Sequence, residues 1–166
     1  ASASVPITIH PAPLEVRAAD ASRLYGAPNP TSTGLILGAT NGDSFSASFH
    51  SDATPASPVG AYPILPALID PSGRATNYSL TLSPGTLSVL PADQAISFGP
   101  LPSHRLGEAP FTVLATANSG LPVTFVSLTP AIASVSGNTV TLLGVGQATL
   151  RALQPGDANW NPAAPV

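Results

Sequence analysis

Apolar and polar residues alternate along this chain in short runs, and prolines and glycines separate the runs. Almost no apolar stripe recurs at helical spacing for more than two turns, so the pattern predicts strands and not helices. In the first half the predicted strands cover residues 14–18, 34–37, 44–49, 62–65, 78–82 and 86–90. In the second half they cover 95–98, 111–116, 123–127, 131–135, 139–143 and 148–153. The breaks carry turn chemistry of their own. Asn41-Gly42-Asp43 and Ser136-Gly137-Asn138 suit positive φ, Asp70-Pro71-Ser72-Gly73 marks a reversal, and Pro84-Gly85 suits a tight turn between two strands. Gly144-Val145-Gly146 predicts a further turn. Short strands with turns roughly every 8–12 residues are the pattern of a β-sandwich. The fold class expected is therefore all-β, as two tandem immunoglobulin-like β-sandwiches.

The division between the two falls in residues 86–98, TLSVLPADQAISF. Leu87 and Val89 alternate in one strand, Pro91-Ala92 breaks it, and Ala95, Ile96 and Phe98 belong to the next. Proline fixes φ and has no amide hydrogen, so one strand cannot run through Pro91 unbroken. Residues 7–16, ITIHPAPLEV, repeat the device, and Pro11 and Pro91 lie 80 residues apart. Each joint is followed by a related phrase, RLYGAP at 23–28 and RLGEAP at 105–110. Two landmarks at nearly constant spacing indicate an internal repeat. The organisation expected is a sandwich over 12–91, a second over 92–166, and residues 1–11 as a closing strand belonging to a preceding copy or neighbour.

Pro91 and Ala92 form an interdomain joint without glycine, which predicts a stiff connection. Replacing both with glycine is expected to broaden the small-angle scattering ensemble while leaving both folds intact. Equal flexibility before and after the change would contradict this.

Composition narrows the function classes. Charged residues are 8% of the 166, against about 25% in average soluble domains, and lysine is absent. A net charge of -3 with five arginines provides no basic footprint for nucleic acid. Proline and glycine together stay below the roughly 25–30% that marks disordered chains, and the 43% of hydrophobic residues can supply cores. No apolar run approaches the roughly 20 residues that span a bilayer, so membrane insertion is not expected. The opening ASASVPITIH has no charged n-region or long apolar core, so any leader has been removed or the chain is an internal piece. Without cysteine there are no disulfides or thiolate metal sites. Without lysine, a Lys–Asn isopeptide crosslink cannot form within the chain.

No constellation of residues points to catalysis. His10, His50 and His104 lie far apart with none of the spacings of a zinc site, and no GxSxG elbow is present. Glu15, Asp20 and Asp93 near the joints, and Asp43 and Asp157 in turns, are the residues to weigh as calcium ligands. No DxDxDG loop accompanies them, and turn chemistry accounts for Asp43 and Asp157. Trp160, Tyr25, Tyr62 and Tyr78 are the aromatic residues from which a glycan platform would have to be built, and packing is the role expected of Trp160. Neither a catalytic residue, a metal site nor a cofactor is expected.

The first unit, with PAPLEVRAADASRLYGAPNP, the TNGDSF turn, SPVGAYPI and NYSLTLSPGTLSVLPA, resembles the MBG ("mostly beta galaxy") repeats of bacterial extracellular proteins. The second, with ISFGPLP, SGLPVTF, IASVSGNTVTLLGVGQATLRA and QPGDANWNPA, is similar to bacterial immunoglobulin-like (Big-type) repeats. The resemblance implies a non-enzymatic structural module of a secreted or surface-attached bacterial fibre, stalk or adhesin. The alternative is a cell-surface module that binds a host or environmental glycan or protein.

The two ends suggest how copies join. After QPGDANWNPAAPV a sandwich of this type is expected to add one closing strand, and residues 5–9 hold an alternating strand with no sandwich of its own. Val5, Ile7 and Ile9 are therefore the expected inter-copy strand contact, buried against the region of Phe111, Val123 or Leu150 of a neighbouring copy, head to tail.

Overall fold

The computed structural model of the chain describes residues 4–166. These are all-β, with no α-helix and one short 3-10 turn at Arg74–Asn77. The described residues fall into two compact units that divide between Leu90 and Pro91.

The first unit has seven strands: β1 (Ala12–Ala18), β2 (Ala21–Leu24), β3 (Gly34–Leu37), β4 (Ser46–His50), β5 (Gly60–Ile69), β6 (Tyr78–Ser83) and β7 (Gly85–Leu90). They make one sheet in the order β3-β1-β6 and another in the order β2-β7-β5-β4. Alternation places Leu14, Val16 and Ala18 of β1 on a buried face. Ala18, Ala53, Ile64 and Leu87 form one core cluster, with Phe49 and Tyr62 packed against it. Fully burying side chains of the size of Ile64 and Leu87 stabilises the unit by about 1.5–3 kcal/mol each.

Two parallel pairings organise this unit. β1 runs parallel to β6, and β2 runs parallel to β7. The chain changes sheets at Ala19-Asp20 and again, alongside, at Pro84. Pro84-Gly85 is therefore not the tight turn that the sequence predicts, because β6 and β7 lie in different sheets. Proline ends the β6 ladder, and Gly85 lets two backbones approach closely. A Cβ on Gly85 would stand 2.6 Å from the carbonyl oxygen of Ala19. Across the crossing, Asp20 Oδ1 accepts the Thr86 amide at 2.7 Å.

β5 has ten residues against the four expected over 62–65, and it runs through Pro63 and Pro66. Its first half pairs with β7 and its second half with β4. Each half leaves one side unpaired, where a nitrogen without a hydrogen loses no ladder bond. β2 escapes the sequence pattern because its apolar members, Ala21 and Leu24, do not alternate.

The second unit has β8 (Ile96–Ser97), β9 (Phe111–Thr112), β10 (Thr116–Ala117), β11 (Thr124–Ser127), β12 (Ala133–Ser136), β13 (Thr139–Leu142) and β14 (Leu150–Leu153). These pair as β10-β8, β11-β14 and β12-β13-β9. Val113, Ala133 and Val140 are its buried centre, surrounded by Phe98, Phe111, Phe125 and Leu150 among others. The single strand predicted over 111–116 is two, because β9 pairs with β13 and β10 with β8. The strand predicted from residue 131 starts at Ala133, since the amides of Ile132 and Ala133 both turn back to the Thr129 carbonyl. The β12–β13 turn forms as the sequence predicts, with Gly137 at φ 60. Residues 163–166 lie along β14, where Ala163 donates to Gln154 and Ala152 and Val166 exchange amide bonds.

Candidate functional site

The carboxylates and histidines singled out in the sequence do not converge. Among the described residues no group of three or more His, Cys, Asp or Glu could hold a metal ion. His10 is exposed, and the His50 ring lies 2.9 Å from Asp52 on the surface. Glu15 accepts from Ser83 at 2.7 Å and from Arg17 at 3.0 and 3.1 Å, and the Ser83 bond above all lowers its pKa. Asp157 accepts the Asn159 and Trp160 amides at 2.8 and 2.9 Å, and Asp93 accepts from Asn161 at 2.7 Å. Asp157 ties down its own turn, whereas Glu15 links β1 to β6 and Asp93 links to Asn161 far along the chain.

Asp43 accepts a hydrogen bond from the Tyr78 hydroxyl at 2.8 Å, while that hydroxyl accepts the Thr40 amide at 3.1 Å. Tyr78 is buried, with Phe45 edge-on to its ring at 5.3 Å. It cannot belong to an exposed aromatic platform. Tyr78→Phe should cost about 1–2 kcal/mol, from the loss of two hydrogen bonds at a part-buried site. Urea denaturation followed at the first unit would show it, and an unchanged midpoint would contradict it.

The interdomain joint residue Ala92 is held within the second unit. Its amide donates to Asn159, its carbonyl accepts the Asn161 amide, and it bridges in parallel to Trp160. Ala12, the equivalent residue after Pro11, pairs in parallel with Tyr78. Val5, Ile7 and Ile9 stand outside every strand and are 88%, 84% and 85% exposed. The cores nearest to their expected role, Phe111, Val123 and Leu150, are half-buried in the second unit.

The two repeated phrases make the same turn. The Ala27 amide donates to the Leu24 carbonyl with Gly26 at φ 79, and the Glu108 amide donates to Arg105 with Gly107 at φ 96. Positive φ at the third position is a type II turn, which selects glycine there. Matching the turns places His104, not Arg105, opposite Arg23. Each of these two side chains reaches across its turn. Arg23 is 7% exposed and donates to Asn29 Oδ1 at 2.7 Å, to the Leu24 carbonyl at 3.1 Å and to the Thr54 carbonyl. His104 stacks on Phe111 with centroids 3.9 Å apart and bonds Glu108 at 2.9 Å. That bond chiefly lowers the Glu108 pKa, so its support is present above the ordinary Glu range and lost as pH falls through the lowered value.

Gln94 and Gln154 are further buried polar residues without an expected role. Gln94 donates to Gln154 at 3.1 Å and to the Asn161 carbonyl at 2.8 Å, and Gln154 donates to the Pro122 carbonyl at 3.0 Å. Inward parity with Leu150 and Ala152 was the available signal for Gln154.

A cleft of about 470 Å³ lies in the second unit. One wall is residues 101–106 and the other residues 144–150, with Phe111, Val140 and Leu142 between them. Among the described residues its only titratable lining group is His104. Its two walls carry no strand before Leu150, and the lining mixes apolar side chains with Ser103, His104 and Gln147.

No curated protein and no solved structure matches the chain. One family model does, over residues 14–88 of the first unit, a stretch that includes Tyr25-Gly26-Ala27: it is that of the MBG domain (YGX type).

Proposed function

We propose that this chain is a non-enzymatic structural module of an extracellular bacterial fibre, stalk or adhesin. In this reading both units are immunoglobulin-like sandwiches, the second of the Big type, and successive copies join head to tail through the N-terminal strand. The match of residues 14–88 to the MBG domain carries the reading, since that family is associated with extracellular repeat proteins. The shared type II turn and the equivalent Ala12–Tyr78 and Ala92–Trp160 pairings support a common ancestry for the two units. The carboxylates are used as turn and strand locks, which suits a scaffold.

Antibodies raised against the 166-residue protein test the location. On intact cells of the source they are expected to label the surface without permeabilisation. Labelling that appears only after lysis would contradict an extracellular role.

A further inference from the structure

The first unit contains a template for the cleft in the second. In the first unit β7 lies between β2 and β5, parallel to one and antiparallel to the other. β2 leads into the type II turn at Leu24, and residues 101–105 lead into the matching turn at Arg105. β5 and β14 also correspond. Phe49 faces Pro66 across β4 and β5, and Phe125 faces Ala152 across β11 and β14. Counting back from those pairs, buried Ile64 matches core-facing Leu150, Tyr62 matches Ala148, and Gly60 matches Gly146. The two walls of the cleft are thus the counterparts of the two neighbours of β7. Among the described residues no strand runs between them; residues 163–166 pair with β14 further on, at Ala152 and Gln154.

We infer that this cleft is an acceptor groove for one strand, and that its occupant is residues 5–9 of a second copy of the chain. The inference rests on the head-to-tail reading above and assigns its acceptor. The donor is identified by its match to β7. Aligned on Pro11 and Pro91, Ile7 takes the place of Leu87 and Ile9 that of Val89. Leu87 and Val89 are each 2% exposed in the first unit, whereas Ile7 and Ile9 are almost fully exposed. The same residue pattern is thus buried in one place and bare in the other. In the filled groove Ile7 stands opposite Ala148, as Leu87 stands opposite Tyr62, and Ile9 stands opposite Gly146, as Val89 stands opposite Gly60. Gly146 and Ala148 carry little side chain of their own, and Ile132, which stands where a Cβ on Gly146 would point, lines the cleft with Val140 and Leu142. Strand addition supplies main-chain hydrogen bonds on both sides, while alternate side chains set the register. Because donor and acceptor are different surfaces, the contact is heterologous and extends as an open chain when its rotation does not close.

Sedimentation of the full chain with paired variants tests this. The wild type is expected to form species larger than the 16.5 kDa chain as its concentration rises. The donor variant Ile7→Asp/Ile9→Asp changes only exposed side chains and is expected to stay monomeric. The acceptor variant Ala148→Asp, also at an exposed position, is expected to stay monomeric too. Mixed together, they retain one intact donor and one intact acceptor, so association is expected to resume and stop at two chains. A wild type that is monomeric throughout, a donor variant that still associates, or a mixture that stays monomeric would each overturn the inference. Surface labelling is a separate readout, so loss of the groove and loss of the extracellular role are distinguishable.

Discussion

Arg23→Ala should destabilise the first unit by about 2–3 kcal/mol, the range expected when hydrogen bonds to a charged side chain are lost at a part-buried site. The Arg23 guanidinium is buried and satisfies the Thr54 and Leu24 carbonyls and the Asn29 side chain at once. Asn29 in turn donates to the Ala53 carbonyl at 2.5 Å, and the Gly26 amide donates to Pro55. One side chain therefore fastens the type II turn to residues 53–55. Its removal leaves the Thr54 and Leu24 carbonyls and the Asn29 side chain without these donors at a part-buried site. Arg23→Lys should recover only part of the loss, because an ammonium cannot match the planar fork. Hydrogen exchange of the full chain, read at the β2 and β7 amides, measures the effect, with the second unit as internal control. A loss below about 1 kcal/mol would show that the network is dispensable.

Gly85→Ala has an expected sign opposite to that of strand propensity. Glycine inside a strand is usually a cost, and replacing it with alanine gains roughly 0.5–1 kcal/mol. Here the new Cβ would lie 2.6 Å from the Ala19 carbonyl oxygen and 2.9 Å from its carbon, both backbone atoms. Relief requires pulling the β1–β2 crossing away from the β6–β7 crossing, which also strains the Asp20–Thr86 bond. A loss of about 2–3 kcal/mol is expected, as for overpacked cores. Thermal or urea denaturation of the variant decides it: a stabilised protein would mean that the two crossings do not touch as described.

The strand content was legible because alternation survives wherever one face is buried, as in β1, β3, β7 and β13. It failed where partner exchange overrides local chemistry. Pro63 and Pro66 look like strand breakers until β5 is seen to change partners between them. Pro84-Gly85 has the composition of a hairpin turn, and only the pairing of β6 with β1 and β7 with β2 shows it to be a crossing. Residues 111–116 read as one strand because the change of sheet at Val113 leaves the apolar alternation unbroken. The repeated phrases were legible, but not their register, since arginine aligns with arginine in sequence whereas the turns align Arg23 with His104. The cleft was not legible at all. Its walls, 101–106 and 144–150, carry turn-rich composition and little alternation, and only the three-dimensional match to β2 and β5 gives them meaning.

Disulfide trapping tests strand donation most directly, because the chain has no cysteine of its own to compete. One chain carries Ile7→Cys and the other Ala148→Cys, the pair placed opposite each other by the β7–β5 register. A disulfide needs Cα atoms within roughly 4.4–6.8 Å, so random contact forms it poorly. A third chain, Leu35→Cys, supplies an exposed thiol away from the groove. Under mild oxidation a linked dimer of the Ile7→Cys and Ala148→Cys chains is expected, reversed by reductant, with little linkage of Ile7→Cys to Leu35→Cys. Linkage at equal yield in both mixtures, or in neither, would contradict strand donation into the cleft.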